Sequence, residues 1–397
     1  MRRRDFLALA ATAALSRVVR ASDTPGDVRI TRAVGFTLPS RRSKVAGKNA
    51  RLDVHGDTAS DRMVRLDTNA GVEALGNCRA DEQAVAALIG KDPFDLYRQD
   101  ETRMTGPLGT GTMPLWDLLG KLLKKPAYEL LGGAGTEPVP VYDGSIYFAD
   151  LLPQYAANWQ DRFREEIDMG LALGHRAFKI KIGRGAKWMP REAGDDRDVE
   201  VVTLIRKHAG DEAILGVDAN NGYDLAGTKR FLDRVAGAKL AFIEEPFDEK
   251  LDDCLALKRF IADRGWSTLL ADGETQREPE PLKPFAEAGA IDVFQGDMNQ
   301  FGFEGILLEA AWAQPKNLLV APHNWGSLVG YYMQLHTGRA IKNFYRAEHD
   351  PLTSRVLVAD GYDRKDGAGT VPDAPGFGLS LNEAAFAEDV KVRFDVR

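Results

Sequence analysis

From about residue 138 the chain repeats one motif, a short β-branched run followed by an amphipathic stretch of helical period. The strand-like runs are Val139–Tyr142, Ala177–Ile182, Ala213–Val217, Leu240–Ile243, Thr268–Ala271, Ile291–Phe294, Leu318–Ala321 and Ile341–Phe344. Val199–His208 and Leu251–Asp263 are typical of the stretches between them. Strands separated by helices pair in parallel, because a parallel connection needs a crossover. Eight such units in about 220 residues fit a closed (β/α)8 barrel. A doubly wound open sheet has the same local pattern, but its glycine-rich nucleotide fingerprint is missing after the first strands.

The flanks read differently. Residues 27 to about 137 have the mixed pattern of an α+β capping domain. Asp27–Thr37 and Met63–Ala74 look extended, and the polar stretch from about Leu38 to Thr58 reads as a loop carrying Arg41, Arg42, Lys44, Lys48 and Arg51. Such a loop could fold over the barrel mouth and meet the distal end of an acidic substrate, or stay solvated. The barrel is expected over 138–360. The tail over 361–397 ends in the alternating Val390–Phe394 and is expected to return to the capping domain.

The first 26 residues look like a targeting segment. Arg2-Arg3-Arg4-Asp5-Phe6-Leu7 precedes a short apolar stretch, Ala8–Leu15, and Val19-Arg20-Ala21 offers a cleavage site. The paired arginines resemble the twin-arginine signal, which implies periplasmic export; the alternative is a basic N-terminus on a cytoplasmic protein. The whole chain carries a formal charge of -7; cleavage after Ala21 would remove five Arg and one Asp, a net +4, and leave -11. Neither value suits a nucleic-acid partner, which calls for basic stripes. No apolar run is long enough to span a membrane. Cys78 and Cys254 have no metal-ligand spacing and read as packed or free thiols.

In a β/α barrel the reactive groups come from the C-terminal ends of the strands. Here those positions hold Lys179 and Lys181, Asp218 with Asn220, Glu244, Glu274, Asp297, His323 and Glu348. From Asp218 onward each is one βα unit from the next, so a barrel gathers them at one rim. Asp218, Glu244 and Glu274 would repel one another without a cation, and oxygen-only ligation with room for water and substrate suits Mg2+. Lys181 is expected beside that metal, its pKa lowered by burial and nearby cations until it serves as a base. Lys179, two residues back, would hold a substrate carboxylate or tune Lys181. Asp297 beside His323 would fix its tautomer and raise its pKa. Glu348 would donate a hydrogen bond to the substrate if protonated, or merely close the barrel.

The set Lys179-Ile180-Lys181, Asp218-Ala219-Asn220, Glu244-Glu245-Pro246, Gly273-Glu274, Asp297 and His323 resembles the mandelate racemase subgroup of the enolase superfamily. Leu115–Lys121 and Leu130–Gly133 in the capping domain extend the likeness. The resemblance implies a TIM-type barrel, Mg2+ on Asp218, Glu244 and Glu274, and Lys181 opposed by the His323–Asp297 dyad. It also implies that Lys179, Asn220 and Glu348 meet a small-molecule carboxylate, and that the chain forms a symmetric homo-oligomer. An α-proton of a carboxylate is too weakly acidic for a free lysine, so Mg2+ and Lys179 are expected to stabilise the enediolate. The subgroup's many acid-sugar dehydratases point to loss of water from a sugar acid, giving a 2-keto-3-deoxy acid. The alternatives are racemisation or epimerisation, and an exported metal- or sugar-acid-binding protein without turnover.

Overall fold

The computed structural model describes residues 26–397, so the expected targeting segment, apart from its last residue, lies outside the described residues. Three antiparallel strands open the fold: β1 (Ile30–Ala46), β2 (Gly56–Thr68) and β3 (Glu73–Asn77). Helix α1 (Met113–Leu123) packs on β3 and buries Leu115, Trp116, Leu118 and Leu119 against this sheet.

The stretch read as a loop is mostly strand. From Phe36 the side chains on one face of β1 are Leu38, Ser40, Arg42, Lys44 and Ala46, all buried. The period of two is kept while its chemistry changes from apolar to charged, and that hid the strand from a hydrophobic pattern. The charged half is buried because it reaches the barrel. Arg42 forms two bonds to Asp350, at 2.7 and 2.5 Å, and Lys44 meets Glu166 at 2.8 Å. Only residues 47–55 form the loop between the two strands.

The barrel follows as β4 (Val139–Ile146), β5 (Ala177–Lys181), β6 (Ile214–Asp218), β7 (Phe242–Glu244), β8 (Leu269–Asp272), β9 (Val293–Phe294), β10 (Leu319–Val320) and β11 (Ala347–His349). Neighbours pair in parallel, and β11 pairs with β4. The Val320–Phe344 bridge closes the ring between β10 and the chain leading into β11. The eighth strand therefore lies later than the expected Ile341–Phe344. That run is the turn after a helix ending at Ala340, and the register with Val141, Tyr142 and Asp143 is taken by Ala347, Glu348 and His349. Helices fill the crossovers: α2 (Trp159–Ala172), α3 (Arg191–Ala209), α4 (Leu225–Arg234), α5 (Leu251–Asp263), α6 (Lys283–Ala288), α7 (Met298–Ala313) and α8 (Leu328–Ala340). Phe242, Ala271, Val293 and Ala321 form an apolar layer inside the barrel, as closely packed barrel interiors require.

The last segments tie the two parts together. Leu352–Thr353 and Lys391–Val396 both pair antiparallel with β1. Between them, Arg364–Lys365 and Ala368–Gly369 form a hairpin that pairs with Val139–Pro140 of β4, so part of the tail packs on the barrel rather than the capping sheet. Cys78 and Cys254 are buried free thiols.

Candidate active site

Barrel register gathers the expected residues. Lys181 lies opposite Asp218, and Asp218 opposite Glu244, in one row across β5, β6 and β7. Glu274 follows β8 after Gly273. Asp218, Glu244 and Glu274 each place a carboxylate oxygen within 4.8 Å of the others. Glu274 Oε2 is buried and faces His323 Nε2. Three convergent carboxylates make an oxygen-only donor set that fits Mg2+.

Two lysines face this triad from β5. Lys179 is fully buried, with Nζ 2.6 Å from Glu244, 2.8 Å from Glu348 and 3.4 Å from Asp218. Lys181 contacts Asp218 and donates to Asn220 Oδ1 at 3.0 Å. The lowered lysine pKa expected from the sequence is reversed in this arrangement. Burial works against the charge of Lys181, but Asp218 and then Tyr147 outweigh it and hold the amine above its usual value. The lysines thus supply the positive charge that the triad demands. Burial raises the Glu244 carboxyl well above the ordinary range, despite Lys179. Glu274 is also penalised by burial, yet His323 draws it well below.

The His323–Asp297 dyad stands across the triad from Lys181. His323 Nδ1 lies 2.7 Å from Asp297 Oδ2, and Nε2 lies 3.0 Å from Glu274 Oε2. Burial disfavours the imidazolium, but Glu274 and then Asp297 hold its pKa well above the ordinary histidine value. Asp297 has a second task, because its Oδ1 accepts from the backbone N–H of Asn299 and Gln300 and caps α7. One carboxylate thereby fixes the histidine to the start of a helix.

Glu348 is an acceptor on both oxygens. Oε1 faces Lys179 and Oε2 accepts from Asn324 N at 2.9 Å. It fits because Gly144 has no side chain: a Cβ there would lie 2.3 Å from Glu348 Oε1. Asn220 bridges the two halves, accepting from Lys181 and donating to Glu274 Oε1 at 3.0 Å. Asn220, Asn221 and Glu245 all adopt left-handed backbone at the ends of β6 and β7. Such strain in residues with side chains is sustained where the turn has a task.

Several neighbours were not legible in the sequence. Gln295 donates to Glu244 Oε2 at 2.7 Å; only its place two residues past Val293, on the inward face, could have marked it. At the mouth, Tyr147 stacks on Trp325 with ring centroids 4.4 Å apart, and Trp325 donates to His55 Nδ1 at 3.2 Å. His55 belongs to the capping-domain loop, whose Asn49 carbonyl accepts from Trp188 Nε1 at 2.6 Å. The loop therefore does reach the barrel mouth. Its arginines and lysines are engaged elsewhere, Lys48 with Asp53 and Arg51 with Asp248. No helix among the described residues is long and apolar enough to cross a membrane.

A pH dependence follows from this charge balance. A divalent cation on the triad displaces Lys179, Lys181 and His323 from carboxylates that now raise their pKa values, and takes the place of any proton on Glu244. Binding then releases protons, so Mg2+ affinity is expected to rise with pH. The slope approaches about tenfold per pH unit for each proton released. Calorimetric titration from about pH 6 to 9 checks this, and an affinity independent of pH would contradict it.

Comparison with known proteins agrees with this geometry. The family model described as enolase C-terminal domain-like matches residues 162–385. The chain is 28% identical over 380 residues to D-galactarolactone cycloisomerase of Agrobacterium fabrum, covering 85% of this chain and 95% of that protein. Among solved structures, galacturonate dehydratase of a Geobacillus species, complexed with D-galacturonate and 5-keto-4-deoxy-D-galacturonate, superposes with a TM-score of 0.83 at 30% identity. The match covers 94% of this chain and 100% of that one. A mandelate racemase/muconate lactonizing protein of a Geobacillus species, complexed with magnesium and tartrate, gives 0.83 at 31% identity, covering 92% and 96%. The chain belongs to the enolase C-terminal domain-like family, in the mandelate racemase subgroup of the enolase superfamily.

Proposed function

We propose that this chain removes the proton α to the carboxylate of a sugar acid and then expels a β-hydroxyl as water, giving a 2-keto-3-deoxy acid. The observation that carries the reading is the placement of Lys181 and the His323–Asp297 dyad on opposite sides of one carboxylate triad. Magnesium, held by Asp218, Glu244 and Glu274, supplies Lewis-acid stabilisation of the charge that develops on the substrate carboxylate. Lys181, in its neutral form, takes the C2 proton. The electron pair left at C2 forms the double bond of an enediolate, and Lys179 adds positive charge on the same side as Lys181. His323, held in its charged form by Asp297, gives a proton to the leaving β-hydroxyl. The C–O bond breaks, water leaves, and the resulting enol tautomerises to the ketone.

Two kinds of relative support a sugar-acid substrate, the galacturonate dehydratase at 30% identity and curated dehydratases such as D-gluconate dehydratase of Thermoproteus tenax. The cycloisomerase relative favours a second reading, in which the same proton abstraction ends in isomerisation. We infer also that the Arg2–Leu7 start exports the folded enzyme, which fractionation of expressing cells would test.

The deciding measurement is NMR of the full chain with Mg2+ and a panel of sugar acids in D2O. A 2-keto-3-deoxy product with deuterium incorporated is the expected result. Deuterium at C2 without loss of water would replace dehydration by racemisation or isomerisation. Binding with no exchange across the panel would count against proton abstraction.

A further inference from the structure

A second group of carboxylates lies behind the catalytic triad, on the outer side of the barrel wall. Side chains alternate along a strand, so where Glu244 points inward its successor Glu245 points out, and Asp272 likewise follows the inward Ala271. The ends of β7 and β8 are adjacent, since Glu245 N donates to Ala271 O at 3.1 Å. Glu249, just before α5, completes the group. Glu245, Glu249 and Asp272 each place a carboxylate oxygen within 4.8 Å of the others.

The contacts of this group fall short of its charge. Glu245 and Asp272 are each 1% exposed. Glu245 Oε1 is buried with no hydrogen-bond partner, and the side-chain partner of Asp272 is Glu249, itself an acid. The donors from outside the group are all neutral: Gly273 N to Asp272 at 2.8 Å, Asn220 Nδ2 to Glu245 at 3.5 Å, and Thr275 Oγ1 and Gln276 Nε2 to Glu249 at 3.0 and 3.3 Å. Among the described residues no Lys, Arg or His forms an ion pair with any of the three. Buried carboxylates without a counter-charge are costly, and three that converge repel one another.

We propose that Glu245, Glu249 and Asp272 bind a second, hard divalent cation, distinct from the one on Asp218, Glu244 and Glu274. Oxygen-only donors suit a hard ion such as Mg2+, Ca2+ or Mn2+ rather than a softer one, and the half-buried Glu249 leaves one side open for the water that such an ion retains. The site has a clear structural consequence. Glu245 adjoins Glu244 in the left-handed turn after β7, and Asp272 stands two residues from Glu274. A cation that joins Glu245 to Asp272 fixes the two arms that present Glu244 and Glu274 to the catalytic metal.

The test is a count of Mn2+ bound per chain to metal-stripped full-length protein, read from the electron paramagnetic resonance of free Mn2+. Wild type is expected to bind two. Glu249→Gln, at a half-buried position where the fold is not at risk, should lose one and keep the other; Glu274→Gln should show the reverse loss. Thermal unfolding supplies a second readout, because the Mn2+-dependent rise in Tm should persist in part in Glu274→Gln and shrink in Glu249→Gln. One Mn2+ per wild-type chain, or two still bound by Glu249→Gln, would overturn the proposal. Failure of the dehydratase reading would leave these counts unchanged, so the two can be told apart.

Discussion

Lys181→Met is expected to abolish deuterium exchange at C2 and lower kcat/KM by about 10²–10⁴-fold, the usual contribution of a positioned general base. The side chain is 3% exposed and of similar length in Met, so the packing around it changes little. The loss would therefore report the missing amine rather than a disturbed barrel. Mg2+ binding supplies the internal control. Lys181 Nζ touches Asp218, so its removal takes away a competitor for that carboxylate, and metal affinity should hold or improve. His323→Asn should separate the two halves of the reaction. With Lys181 intact, C2 exchange is expected to persist while formation of the keto acid falls by a comparable factor. Exchange surviving in Lys181→Met, or keto acid still forming at full rate in His323→Asn, would sink the two-group mechanism. The NMR assay described above reads both outcomes in one experiment.

The barrel was legible because its rhythm is coarse. A βα unit is long enough to survive errors of several residues, and the polar residue ending each apolar run stands at the rim whatever the local detail. That is why the triad, both lysines and the His323–Asp297 pair could be named from spacing, and why the structure joins them in one chain of contacts. The eighth strand was misplaced because Ile341–Phe344 has strand composition, whereas the position of β11 is decided by closure against β4. Protonation states were harder still. The expected depression of Lys181 assumed the cation's charge, yet the surrounding carboxylates act in the opposite direction when they are the nearest neighbours. Gln295, His55, Tyr147 and Trp325 reach the site through tertiary packing, and no local period marks them. The charged half of β1 was hidden for a related reason. Arg42 and Lys44 sit on a buried face because acids from distant segments meet them there.

That last feature carries the largest expected effect on stability. Arg42 and Asp350 are 2% and 0% exposed in their side chains and share two parallel hydrogen bonds, while Asp350 Oδ2 also accepts from Gly326 N at 3.0 Å. The pair joins the capping hairpin to the end of β11 and to the loop carrying Trp325. Arg42→Met would leave Asp350 buried without its partner, and breaking a buried pair in this way costs about 3–5 kcal/mol. Burial already raises the Asp350 carboxyl, and Arg42 is what opposes the rise. Without Arg42 the folded state would prefer the protonated acid more strongly. An acid whose folded pKa lies above its unfolded value loses stability as pH rises through that interval, so the variant should be less impaired at about pH 5 than at about pH 8. Denaturant unfolding at the two pH values measures this directly. Adding Asp350→Leu to Arg42→Met removes the orphaned charge and should recover much of the loss, since an apolar pair can replace a buried ion pair at little cost. If the single variant were as stable as wild type at both pH values, the pair would not be what fastens the capping sheet to the barrel.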